Sequence, residues 1–304
     1  SAAYGHIYTA RQFLQLLLRG LGRFKPAEDR WRQDDAVIDP FRPGLRWPAW
    51  SDREFDLLTR QHLDRTVEAL QLADVFIFTL GLTECWASAK DGAVYPACPG
   101  TIAGVYDPLA HTFVNMSTAD VKADLTAILA TLAAINPKLR IVLTVSPVPL
   151  VATATPGHVV AATIYSKSAL VAAAVEAARE HAHVVYFPSY EIVTGPQAPE
   201  RFFEADRRNV SAEGVDTVMR VLLAHCEGGG PQPSVTPQAP ADLQALSQAI
   251  AAAECEEMAV ERPSKYDPAP GLSACGISSP KRRFRLKGLS ALMGLKFAQR
   301  PPRE

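Results

Sequence analysis

The run Val75-Phe76-Ile77-Phe78-Thr79-Leu80 constrains the fold more than any other stretch. Aromatic and β-branched residues follow one another there without the polar alternation of a half-exposed strand, as suits a strand buried in a parallel sheet. The run stops abruptly at Gly81-Leu82-Thr83-Glu84. Two later runs repeat the pattern: residues 139–146, broken by Pro147 and Pro149, and residues 183–187, stopped by Pro188. Helical signals separate them. Thr9-x-x-Gln12, Ser51-x-x-Glu54 and Ser117-x-x-Asp120 are capping boxes, each followed by an apolar stripe. Asn136-Pro137 ends the third of these helices, an Ala-rich helix is expected over about 163–181, and Ser211 caps a last one running to about Ala224. This alternation predicts an α/β fold with a parallel sheet between helix layers. Three strands are few for such a sheet, so its first strand is expected upstream of Ser1.

Residues 24–50 read as an ordered Pro- and Trp-rich loop, and 85–116 as a long irregular segment of the kind that often carries function. Gly228-Gly229-Gly230-Pro231 marks the expected end of the domain, 1–227. The tail, 228–304, is Pro-punctuated, with helical character over 241–261. Residues 281–300 are basic and amphipathic, as suits a membrane surface or a protein partner; a solvated chain end is the competing reading.

The composition is that of an ordinary globular chain, 48% hydrophobic and 21% charged. A formal net charge of −1 argues against nucleic acid as the main partner. No apolar run approaches the ~20 residues of a membrane span. None of the five cysteines forms a C-x-x-C pair, so neither a zinc site nor a disulfide framework is indicated, and a reduced, cytoplasmic setting is expected. No glycine-rich phosphate loop follows any strand, so no cofactor is expected. The expected partner is a small molecule or a glycan.

Chemistry should gather at the carboxyl ends of the strands, where open α/β sheets bind ligands. At the first end, Gly81 allows a tight turn, Thr83 is a hydrogen-bond donor for a developing oxyanion, and Glu84 can orient or act as a base or hold a hydroxyl. At the second stands Ser146, with His158 as a candidate general base and Tyr165 and Lys167 downstream. At the third, Ser189-Tyr190-Glu191 is followed by Asp206 and Arg207 ahead of a helix, a setting for anion or carboxylate binding. Each has a plain alternative: a capping carboxylate, a loop histidine bonded to backbone, a solvated lysine, an Asp that merely caps.

Several ordered blocks together resemble the GSCFA-domain family. They are Gly81-Leu82-Thr83-Glu84-x-Trp86, Asp91-Gly92-x-Val94-Tyr95-Pro96, Thr144-Val145-Ser146-Pro147-Val148-Pro149, Tyr165-Ser166-Lys167-Ser168 and Phe187-Pro188-Ser189-Tyr190-Glu191-Ile192. The opening Tyr4-Gly5-x-Ile7-Tyr8-Thr9 fits as well, so the likeness spans about residues 1–225. That family is similar to the SGNH (GDSL-like) hydrolases. The resemblance implies a flavodoxin-like α/β/α sandwich and attack on an ester or acyl group by an N-terminal Ser, with a C-terminal Asp-x-x-His as orienter and base. The candidate substrate-binding residues are Gly81, Thr83, Trp86, Tyr165, Lys167 and Arg207.

The chain departs from the pattern in three places. The Gly-Ser-Cys-Phe-Ala motif would lie before Ser1, so the chain as it stands is expected to be inactive. The Gly-x-Asn-Asp block reads Gly81-Leu82-Thr83-Glu84. The Asp-x-x-His block reads Asp206-Arg207-Arg208-Asn209, and an Asn accepts no proton at neutral pH. The base is then another residue, with His158 and His6 as candidates, or the chemistry differs. Three readings stand: an SGNH-like esterase or acyltransferase, with Glu84, Ser146, His158 and Asp206 as its catalytic candidates; a non-catalytic carbohydrate- or anion-binding domain; and a substitute Ser146–His158 pair.

Overall fold

The computed structural model describes residues 5–45 and 48–226. The expected tail elements, 241–261 and 281–300, lie outside the described residues.

Each apolar run has become a strand: β3 (Val75–Leu80), β7 (Arg140–Val145) and β8 (Val184–Tyr186). They form a parallel sheet in the order β3-β7-β8. Leu80 pairs with Val145 and Leu143 with Tyr186, so the carboxyl ends lie side by side. The side chains of Phe76, Phe78, Leu80, Ile141, Leu143, Val145 and Val184 point to one face. Helices α1 (Ala10–Gly20), α3 (Thr118–Ile135) and α4 (Val159–Glu180) bring their buried residues into the same core. On the other face, the short helix α5 (Ser189–Thr194) lies against β7, where Ser189 Oγ is 2.5 Å from Thr144 Oγ1. Helix α6 (Ala212–Cys226) packs on α5. The flanks of that second face, Val75, Ile77 and Val185, are exposed, so β3 is buried on one face only and not on both as its apolar run predicts. The result is a mixed α/β fold whose three-stranded parallel sheet is flanked by helices.

The three capping residues act as the sequence predicts. Thr9, Ser51 and Ser117 accept from Gln12, Glu54 and Asp120 amides, and Ser117–Asp120 closes as a full capping box. Helix α2 (Asp52–Leu72) is amphipathic; Phe55, His62, Thr66 and Leu70 are its buried stripe.

Three expectations are corrected. Residues 24–50 contain an antiparallel pair, β1 (Trp31–Gln33) and β2 (Ala36–Ile38). Residues 85–116 are not irregular: β4 (Glu84–Ser88), β5 (Val94–Tyr95) and β6 (His111–Asn115) form an antiparallel sheet ordered β5-β4-β6. Its inner residues Cys85, Ala87 and Val94 join the main core, and the Gln15 side chain ties α1 to it through Gly92 O (2.7 Å) and Val94 N (2.8 Å). Finally, α4 is by length and composition long and apolar enough to cross a membrane. Here its Ala162, Ala169, Ala173, Ala174 and Ala177 are buried, and it packs on α3, β7 and β8 as a core helix.

Candidate active-site crevice

Ser146 N donates to Leu80 O at 2.9 Å, so Gly81 and Ser146 leave the sheet as neighbours. The chain turns at once. Gly81 N and Leu82 N both donate to Tyr8 O, at 3.1 and 2.8 Å. A Cβ on Gly81 would stand 2.9 Å from that same oxygen, so the turn needs glycine for close approach. Two consecutive residues of α4 then hold the turn. Ser166 Oγ accepts from Thr83 N at 2.9 Å, and Lys167 Nζ donates to Gly81 O at 2.7 Å. Both side chains are fully buried. Burial pulls the Lys167 ammonium down to about 8.

Thr83 is also fully buried, and it donates its hydroxyl proton to Asn115 Oδ1 at 2.7 Å. Both its N–H and its O–H are therefore used inside the protein, which makes Thr83 a brace of the turn rather than an open donor. Glu84 is half-buried, and its Oε1 accepts from Thr153 Oγ1 at 2.7 Å. That bond draws the loop after Ser146 across to β4. Glu84 pairs with Asn115 and Trp86 with Phe113 across the β4–β6 ladder. Cross-strand partners share a face, so a carboxylate, an amide and two aromatic rings stand together, half-exposed. Tyr106 meets Trp86 edge-on at 5.3 Å.

The other candidates are placed differently. Ser146 Oγ accepts from Val148 N, and His158 Nδ1 accepts from Val160 N as the N-cap of α4, each at 3.2 Å. No hydrogen bond joins Ser146 to His158. With Nδ1 accepting, the neutral ring carries its proton on Nε2 and has no free lone pair for a substrate proton. His6 stacks on Tyr8 at 5.6 Å. Tyr165 is exposed on α4 beside the buried Ser166. At the third strand end, Ser189 Oγ donates to Val145 O (2.9 Å) and Tyr186 donates its hydroxyl to the Glu191 carboxylate (2.8 Å), closing that corner internally. Cys85 is buried, which pushes its thiol up to about 12 and leaves it unreactive. Among the described residues, no group of three or more His, Cys, Asp or Glu is arranged to hold a metal ion.

The model of the GSCFA family matches residues 1–222, nearly all of the described chain. The chain belongs to the GSCFA family. No curated protein matches it. In this GSCFA domain the Asp-x-x-Asn segment is a closed loop. Asp206 Oδ1 accepts from Arg208 N and Asn209 N, both at 2.9 Å, and Oδ2 accepts from Asn209 Nδ2 at 2.6 Å. The two amides, with the Asn209 side chain, hold the Asp206 carboxyl below the usual range. Arg207 has φ 56° and pairs with Glu200 at 3.1 Å on the surface. No hydrogen bond or ion pair links Asp206 or Arg207 to the Gly81–Glu84 turn. The structure thus gathers Gly81, Thr83, Glu84, Trp86 and Lys167. It adds Asn115, Thr153 and Ser166, which sequence reasoning did not assign. Asn115 and Thr153 carry no local signal, because only the β4–β6 register and the path of the 146–158 loop bring them to Glu84.

Proposed function

We propose that this domain is an SGNH-type acyl hydrolase or acyltransferase acting on an ester of a sugar, with the Gly81–Glu84 turn as the substrate-holding edge. One observation carries the reading: a turn braced from α4, at the carboxyl edge of a parallel sheet, presents a half-exposed carboxylate next to Asn115 and Trp86. Carboxylate and amide oxygens accept from sugar hydroxyls, and an aromatic face suits the apolar side of a pyranose. Family membership supports the reading. The nucleophile in this scheme is a serine from outside residues 5–226. It attacks the acyl carbonyl, the sugar hydroxyl leaves with a proton, and water or a second hydroxyl then takes the acyl group from the enzyme.

The test is serine-directed fluorophosphonate labelling of the full-length gene product, with turnover of p-nitrophenyl acetate and acetylated saccharides. A single serine adduct is expected. Turnover of the saccharides should fall about tenfold or more in Glu84→Gln, the loss of one charge-assisted hydrogen bond. No adduct and no turnover would reject the enzyme.

Asn209 favours a second reading, a non-catalytic sugar-binding domain in the same crevice, because Asp206 holds an amide where a base would be needed. Calorimetric binding of an acetylated saccharide that weakens in Glu84→Gln, with no serine adduct, supports this reading over the first.

A further inference from the structure

Away from the crevice, Arg19 in the last turn of α1 is buried, 9% exposed. Among the described residues its guanidinium has no hydrogen-bond or ion-pair partner. Its Cζ sits 4.1 Å over the centroid of the Phe41 ring. A ring face attracts the charge but leaves five N–H donors without acceptors. The neighbouring carboxylate is already engaged: Asp39 Oδ2 accepts from Arg42 Nε at 2.7 Å and Oδ1 from Phe41 N at 2.9 Å. Asp29, further along the chain, is bonded to Arg30. Arg42 is buried as deeply as Arg19 and already binds the Asp39 carboxylate.

Arg19, Arg42, His62, Gln12 and Gln15 face a common cavity of about 20 Å³, and no acidic side chain lines it. The two glutamines are occupied. Gln12 bonds His6 O and Tyr8 N, and Gln15 bonds Gly92 O and Val94 N. The Arg19 guanidinium, without a hydrogen-bond partner among the described residues, lines the same cavity. Buried ions are held where a counter-charge accompanies them. A space of this size admits one water-sized particle. Burial lowers the Arg19 pKa by more than the nearby Asp39 and Asp29 carboxylates raise it.

We propose that this cavity is a monatomic-anion site, occupied by chloride, with Arg19 as its principal ligand and the Arg42 and His62 side chains completing its wall. The full chain is melted in about 10 and about 100 mM chloride, with gluconate holding the ionic strength constant. One saturable site predicts a midpoint higher by about 3–5 °C for the tenfold change. The increment should vanish in Arg19→Met. Acetate in place of chloride should give no increment, being too large for the cavity. Crystals of the wild-type chain soaked in bromide provide the second measurement, and it stands even if the variant does not fold. An anomalous peak against the Arg19 guanidinium is expected. Equal midpoints in both chloride concentrations, an equal effect of acetate, or a water in the cavity without bromide would each overturn the proposal.

Discussion

Replacing Lys167 by Met removes a buried ammonium while keeping most of the side-chain volume, and the consequence depends on pH. The ammonium is fully buried, and burial alone draws its pKa from 10.5 to about 8. A base with a lowered folded pKa is under-protonated in the folded state between those two values. The unfolded chain then binds more protons, so stability rises with pH across that window. Integrating from pH 7 to pH 10, Lys167 should add about 2.5 kcal/mol to wild-type stability. Met at 167 lacks this term and leaves Gly81 O without its donor, a cost of about 1–2 kcal/mol at every pH. At pH 7 the relief from burying a charge, about 3 kcal/mol, outweighs that cost. Lys167→Met should therefore be the more stable protein at pH 7 by about 1–2 kcal/mol and the less stable one at pH 10. Urea unfolding of both proteins at unit pH steps from 6 to 10 measures the difference, and the other lysines and tyrosines cancel in it. A wild-type minus variant difference that is flat in pH would refute the argument.

Gly81→Ala drives a Cβ to 2.9 Å from Tyr8 O, and calorimetry should show a loss of about 1–3 kcal/mol. Arg11→Met strips Asp124, 6% exposed, of its two bonds at 3.1 and 3.2 Å; the cost at pH 7 should be about 2–3 kcal/mol. Burial already holds the Asp124 carboxyl above its ordinary range. The variant's deficit, followed by denaturant titration, should therefore shrink as pH falls from 7 towards 4, where the acid protonates first in the folded state. Iodoacetamide at pH 8, mapped by mass spectrometry, should spare Cys85 in the native protein, label the exposed Cys226, and reach Cys85 only after unfolding.

The parallel strands are legible in the sequence because Val75–Leu80 and 139–146 are rich in β-branched and aromatic residues, although β3 turns Val75, Ile77 and Thr79 to solvent. The caps are legible because Thr9, Ser51 and Ser117 act within three residues of themselves. The β4–β6 sheet escapes for the opposite reason. Its strands are as short as the pair Val94–Tyr95, its inward residues Cys85 and Ala87 are small, and β4 pairs with β6 across more than twenty residues of chain. Helix α5, six residues long, is too short to show a period and reads as loop. In the crevice, Gly81, Glu84 and Lys167 are legible as residues, but their roles are not. The burial of Lys167 and the enclosure of Thr83 follow from how α4 lies against the β3 end, which no local spacing reveals.

The two bonds from Ser166 and Lys167 make the crevice turn a gauge of the position of α4. Both originate in a single step of the helix, a 1.5 Å rise, so an axial slide of that size misaligns both at once. The buried side of α4 is built from alanines, whose small size lets the helix lie close to β7, β8 and α3. A bulkier residue at Ala173 or Ala174, with no contact to any crevice group, would displace the helix and carry the displacement to Gly81 and Thr83. Changes deep in this core thus transmit mechanically to the mouth of the site, and the tolerance of the crevice is set by the packing of the helix that carries Ser166 and Lys167.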